Sequence, residues 1–193
     1  MITLFAALAL PADARDALAD VSVVLPGARL IDPDDMHMTV CYFGPMPEPV
    51  ADDLCNRLST LRADPIIVSF GAVAAFGGDR ARSIYLAVEK TRALVELHRA
   101  VAGVATDAGL ELDTRKFTPH ITLARLPRSP AAEVALALAE IGHLDVPPFQ
   151  TSTLGLYTSA RSRGGGPYIL EAQFDLRPDA HAAPNANHDE DAQ

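Results

Sequence analysis

Two short stretches of the chain, Met36-His37-Met38-Thr39-Val40 and Pro119-His120-Ile121-Thr122-Leu123, follow one pattern: apolar, His, apolar, Thr, apolar. Side chains alternate faces along an extended strand. His37 and Thr39 therefore share one face and Met38 and Val40 the other, and His120 and Thr122 stand in the same relation to Ile121 and Leu123. Such a strand needs an aliphatic core behind it and a polar space in front. The pattern occurs once in each half of the chain. A fold that serves both copies brings their two polar faces together across one cleft.

The bulk properties narrow what the cleft can hold. The chain has 193 residues, 49% hydrophobic and 21% charged, an ordinary globular balance with enough length for a proper core. Its net charge is −9, partly from Asp189, Glu190 and Asp191 near the end. A protein that grips many phosphates of a long nucleic acid is expected to be basic. The charge argues against that class and leaves room for one phosphate in a local basic pocket. Cys41 and Cys55 are too few for a disulfide framework. Cys41 has the strand parity of His37 and Thr39, which would place it at the border of the polar face, although a small buried residue is the plainer reading. The apolar stretch Met1 to Leu10 has no basic segment before it and stops at Pro11, so it reads as a buried strand. No apolar run is long enough to span a membrane. A cytoplasmic monomer is expected.

The remaining elements follow from period and punctuation. Strands are expected at Ile2 to Leu10, Arg29 to Ile31, Met36 to Phe43, Ile66 to Phe70, Ala72 to Phe76, Ser83 to Val88, Thr118 to Leu126, Thr151 to Tyr157 and Tyr168 to Leu176. Helices are expected at Ala12 to Asp20, Pro49 to Leu61, Arg92 to Gly109 and Pro130 to Ile141. A Gly-rich, basic loop, Ser159 to Pro167, carries Arg161 and Arg163. Each half runs strand, helix, histidine strand, helix, strands. The mixture lacks regular βαβ alternation, which argues for α+β with antiparallel sheets. Residues 1–177 are expected to form a single domain of two pseudo-symmetric lobes, and 178–193 a disordered tail.

The chemistry of the twin motif points to phosphate. A histidine pair can act as general base and general acid in one turnover. Each threonine, on the same face two residues on, can hydrogen-bond a phosphate oxygen. An arginine would neutralise the phosphate charge. Arg125 lies five residues after His120; Arg82 precedes the strand from Ser83. Zinc is the rival use of paired histidines, but it takes three or four ligands, and neither strand offers more at ligand spacing. No metal and no cofactor are expected. His98, His143, His181 and His188 read as helix-surface, loop and tail residues, and Thr118 as shaping the start of its strand.

In their longer contexts, Asp35-Met36-His37-Met38-Thr39-Val40-Cys41-Tyr42-Phe43-Gly44 and Lys116-Phe117-Thr118-Pro119-His120-Ile121-Thr122-Leu123-Ala124-Arg125, the two stretches resemble the two-histidine (2H) phosphoesterases. More closely, they resemble the bacterial RNA 2′,3′-cyclic phosphodiesterase family, also called 2′–5′ RNA ligases. The likeness covers roughly residues 2–177. It implies a bilobal, duplicated fold, with two antiparallel β-sheets facing a central cleft and helices packed outside. It also implies hydrolysis of 2′,3′-cyclic phosphate ends to 2′-phosphates, with His37 as proton donor to the departing 3′-oxygen and His120 as the base that activates water. Thr39, Thr122 and Arg125 would hold the phosphate. A 5′-hydroxyl in place of water would give 2′–5′ ligation. Arg82, Phe5, Phe117, Tyr157, Arg161 and Arg163 are further substrate-binding candidates, with core packing as the plainer role of the three aromatics. The expected partners are RNA 2′,3′-cyclic phosphate ends or small cyclic nucleotides. Two other functions fit the residues: a 2H phosphodiesterase for a small cyclic nucleotide or ADP-ribose cyclic phosphate, and a non-catalytic RNA-end or nucleotide-binding module. Two titrating groups argue against mere binding.

Overall fold

The computed structural model describes residues 1–113, 116–159 and 166–178. Arg161 and Arg163, and the expected tail from residue 179 onward, lie outside the described residues. The elements in chain order are β1 (Ile2–Ala9), α1 (Ala12–Ala19), β2 (Arg29–Leu30), a 3₁₀ turn (Pro33–Asp35), β3 (His37–Met46), α2 (Glu48–Leu58), β4 (Ile66–Val68), β5 (Phe70–Phe76), β6 (Arg80–Val88), α3 (Arg92–Asp107), β7 (His120–Pro130), α4 (Ala131–Ile141), β8 (Phe149–Thr151), β9 (Thr153–Ser159) and β10 (Tyr168–Asp175).

All strand pairs among the described residues are antiparallel. The main sheet has the order β10-β9-β1-β3-β7-β6-β5, with β2 also on β7. It consists of two leaves, β10-β9-β1-β3 and β7-β6-β5. They meet at a single register pair, Met38 with Ile121. These are the two expected sheets, and the two histidine strands are the edges along which they join. The helices bury apolar stripes: Leu54 and Leu58 of α2, Leu94, Leu97, Val101 and Ala105 of α3, Val134 and Ala137 of α4. Thr91 caps α3, its side chain accepting the Leu94 N–H at 3.3 Å.

With β2 and the 3₁₀ turn left aside as an insertion between α1 and β3, the order strand, helix, histidine strand, helix, short strand, strand occurs twice, as β1-α1-β3-α2-β4-β5 and as β6-α3-β7-α4-β8-β9. In each copy the expected continuous strand breaks at a serine. Ser69 separates β4 from β5 and Ser152 separates β8 from β9. Each serine carbonyl accepts a backbone N–H from further along the chain, Glu89 at 2.8 Å and Leu176 at 2.7 Å. Beyond the break, each copy's last strand crosses to the other's leaf: β5 pairs with β6, and β9 with β1. The short strands β4 and β8 pair with each other.

Candidate active site

β3 and β7 begin with the same burial pattern. Half-buried His37, buried Met38, half-buried Thr39, buried Val40 and Cys41 and exposed Tyr42 match His120, Ile121, Thr122, Leu123, Ala124 and Arg125. The alternation holds through the threonine and then breaks in both strands at the same point. In β3, Ala6 pairs with Cys41 and Ala7 with Thr39, leaving Val40 as an extra residue. In β7, Ile84 pairs with Ala124 and Tyr85 with Thr122, leaving Leu123 extra. Each is a β-bulge, which inverts the facing of the residues beyond it. Strict alternation would put Arg125 on the aliphatic face; the bulge brings it round to the face of His120 and Thr122. The matching bulge turns Cys41 away from the polar face, which corrects the expected border position. Burial pushes its thiol up to about 11.

A bulge leaves a backbone carbonyl outside the ladder, and a buried carbonyl needs a donor. The Val40 carbonyl accepts from His98 Nδ1 at 2.8 Å, and the Leu123 carbonyl accepts the Ile31 N–H at 2.8 Å. His98 is thus no surface bystander: it ties α3 to the first bulge. Its ring stacks on Phe117 at 4.0 Å between centroids, and Lys90 Nζ donates to the Phe117 carbonyl at 2.9 Å. This engages Phe117 in packing against α3.

The two catalytic candidates are held alike. His37 Nδ1 lies 2.8 Å from the Asp35 carbonyl oxygen, and His120 Nδ1 lies 2.7 Å from that of Thr118. A carbonyl only accepts, so in each neutral ring the proton sits on Nδ1 and Nε2 is the nitrogen left for chemistry. Thr118 therefore does more than shape the start of its strand. Alanines stand opposite both histidines in the ladders, Ala9 beside His37 and Ala87 beside His120. His37, Thr39, His120, Thr122 and Arg125 line one cavity of about 70 Å³, which Asp35 and Tyr168 also border. Burial pushes both imidazoles below the ordinary histidine range. The backbone carbonyls oppose that shift, and the Arg125 cation adds to it on both rings. The Asp35 carboxylate favours the protonated ring at His37, where His120 acts the other way.

Aromatic rings wall each histidine. Phe5 lies 4.9 Å and Tyr168 4.8 Å from the His37 ring, with Tyr157 farther off at 6.4 Å. Phe76 lies 4.8 Å and Tyr85 5.3 Å from His120. Phe5 is buried, so it packs behind His37. Tyr157 is half-buried, and burial pushes its phenol up. A Cβ on Gly155 would run into the Tyr157 ring, so the glycine lets that ring lie along its strand. Tyr168, Phe76 and Tyr85 are not among the sequence candidates. The β6–β7 ladder sets Tyr85 beside Thr122, and the β5–β6 hairpin, legible from its Gly77-Gly78-Asp79 turn, places Phe76 opposite Ser83 on the same leaf. Tyr168 is placed by Asp35, whose Oδ1 accepts its N–H at 3.0 Å. A Cβ on Gly166 would run into the same carboxylate. Arg82 is exposed on β6, outside the walls of the cavity.

Among the described residues no group of three or more His, Cys, Asp or Glu side chains could hold a metal ion. No described helix is long and apolar enough to cross a membrane.

The chain is 29% identical over 158 residues to the RNA 2′,3′-cyclic phosphodiesterase of Aeropyrum pernix, covering 80% of this chain and 88% of that protein. It is 31% identical over 128 residues to the protein of the same name from Geobacillus stearothermophilus, covering 63% of this chain and 41% of that one. The fold matches E. coli LigT complexed with 3′-AMP, with a TM-score of 0.73 at 22% identity over 91% of this chain and 98% of that one. It also matches TT0787 of Thermus thermophilus, with a TM-score of 0.71 at 24% identity over 92% and 100%. Residues 4–163 match the profile of the 2′-5′ RNA ligase superfamily. With both histidine motifs inside that span, the chain belongs to the 2′-5′ RNA ligase superfamily, the 2H phosphoesterases.

Proposed function

We propose that the chain is an RNA 2′,3′-cyclic phosphodiesterase that opens the cyclic phosphate to a 2′-phosphate by metal-independent acid–base catalysis. One observation carries the reading: two histidines, each fixed at Nδ1 by a carbonyl two residues earlier, line one cavity with two threonines and an arginine. The curated relatives named above support the substrate class.

His120 Nε2 takes a proton from water as its oxygen bonds to phosphorus. The bond from phosphorus to the 3′-oxygen breaks, and His37 gives its Nε2 proton to that oxygen. The product is the 2′-phosphate, and the two rings exchange protonation states through solvent before the next turnover. His37 is taken as the donor on the resemblance to the family; burial lowers its pKa, and the Asp35 carboxylate opposes part of that shift. Thr39 and Thr122 hydrogen-bond the non-bridging oxygens, and Arg125 balances their charge. A 5′-hydroxyl attacking in the place of water, with the same loss of the 3′-oxygen from phosphorus, would instead give a 2′–5′ phosphodiester, which is ligation.

The test is turnover of adenosine 2′,3′-cyclic phosphate, an oligonucleotide with a 2′,3′-cyclic end, and ADP-ribose 1″,2″-cyclic phosphate, with EDTA present throughout. His37→Ala and His120→Ala are each expected to lose about 10²–10⁴-fold in rate. Normal turnover in either variant, or an inactive wild type in EDTA, overturns the mechanism. A preference for the ADP-ribose compound overturns the RNA-end assignment and leaves the chemistry intact.

A further inference from the structure

The cavity between the histidines is too small for a nucleotide. Its volume is about 70 Å³, against roughly 300–1,000 Å³ for sites that enclose a drug-sized ligand. It has room for the reacting group, so the rest of a substrate must lie in adjoining space. A larger cavity of about 250 Å³ lies next to it, and Ile31, Asp35 and Arg125 line both. The larger one adds Arg29. On β2, Arg29 is the direct register partner of Arg125 on β7, so the two side chains leave the sheet on the same face, and both border this cavity.

Like charges directly opposite across a strand pair are destabilising. Arg15, Arg57, Arg92 and Arg177 each hold a carboxylate. Arg29 and Arg125 have no ion pair among the described residues. Two adjacent cations that make no direct ion pair, set in a concave wall, are relieved by an anion bound between them. Asp32 and Asp35 also border the cavity. Each accepts a backbone N–H at 3.0 Å, from Asp34 and from Tyr168 respectively. They leave the cavity as a whole without net formal charge, which disfavours a long polyanion and confines any anion to the side of the two arginines.

A 2′,3′-cyclic phosphate is a chain end. The next phosphate on such a molecule can only be the one on the 5′-oxygen of the same ribose. We infer that the Arg29–Arg125 cavity is a subsite for this second phosphate, with Arg29 as its own cation and Arg125 shared between the two phosphates. Both an RNA phosphodiester and the terminal phosphate of a 5′-phosphorylated mononucleotide offer this chemistry. The inference rests on the phosphodiesterase reading and specifies its substrate.

Three substrates separate the cases: adenosine 2′,3′-cyclic phosphate, the same compound with a 5′-phosphate, and an adenosine dinucleotide with the same cyclic end. Wild type is expected to favour the second-phosphate compounds by about tenfold or more in kcat/KM, chiefly through KM. In Arg29→Ala that ratio collapses toward one, while Arg29→Lys retains part of it. Raising the salt concentration shrinks the wild-type ratio. A gain for both compounds marks any 5′-phosphate as sufficient; a gain for the dinucleotide alone, lost in Arg29→Ala, marks the RNA phosphodiester. A wild type that turns over the plain cyclic nucleotide without preference, or an Arg29→Ala variant with the wild-type ratio, overturns the subsite. A wild type that turns over none of the three overturns the phosphodiesterase reading and the subsite together.

Discussion

Replacing Arg125 by alanine is expected to separate catalysis from folding, because the structure assigns that side chain almost nothing to hold. Arg125 is exposed, has no ion pair among the described residues and stands opposite Arg29. Relieving a like-charge cross-strand pair is worth about 0.2–1 kcal/mol. In a chain of this size about 1 kcal/mol moves the melting temperature by about 2–4 °C. The variant should therefore melt at the wild-type temperature or up to about 4 °C above it. Its pH profile should move as well, since the Arg125 cation lowers both histidines. Both limbs of the kcat/KM profile should therefore move to higher pH. The rate should fall by about 10²–10³ in kcat, the usual cost of losing a preorganised charge at a reacting centre. The assay is kcat/KM on adenosine 2′,3′-cyclic phosphate across the pH range, beside a thermal melt of the same preparation. A melting temperature that drops by several degrees in step with activity would make Arg125 structural. Limbs that move to lower pH would refute the electrostatic account.

Gly155→Ala should push the Tyr157 ring off its strand and cost about 1–3 kcal/mol, as overpacking does; an unchanged urea midpoint would contradict the close approach seen there. Asp35→Asn keeps an acceptor for the Tyr168 N–H but removes the charge that favours protonated His37, so the His37 limb should move to lower pH with little change in melting temperature. A limb that moves up would reverse the assigned sign. Both histidines titrate below 6.5 in the folded protein, so on acidification the unfolded chain takes up protons first. Stability should be unaffected by these groups above about pH 6.5 and should fall below it, by up to about 1.4 kcal/mol per pH unit for each ring, until the folded rings protonate. Urea midpoints at about pH 7.5 and 5.5 measure this, and a midpoint that rises on acidification would sink it.

The period-2 pattern makes the faces of His37, Thr39, His120 and Thr122 legible from sequence, because alternation within the first four residues of a strand depends on nothing distant. It fails at the next residues for a non-local reason. A bulge is a mismatch between two strands, and Val40 and Leu123 are extra only relative to β1 and β6. The facing of Cys41 and Arg125 is therefore decided by register, which no single strand encodes. The role of His98 is hidden for the same reason: its partner is the carbonyl that the bulge leaves over, 58 residues away in the chain. The break at Ser69 is blurred because the apolar run continues across it, and the break at Ser152 because strand-favouring Thr151 and Thr153 flank it; only the pairing shows a change of sheet. Helix positions are legible from their apolar spacing, as in Leu94, Leu97, Val101 and Ala105, which recur every three or four residues and are the residues α3 buries.

The crossing of β5 and β9 bears on what half of this chain could do alone. A fragment ending in the turn between Phe76 and Arg80 would carry β5 with no leaf to join, and would lack the β9 that covers the flank of β1. The complementary fragment would have the opposite surplus and the same deficit. Each would expose an unpaired edge shaped for the other, so the two should be insoluble apart and should reassemble when mixed.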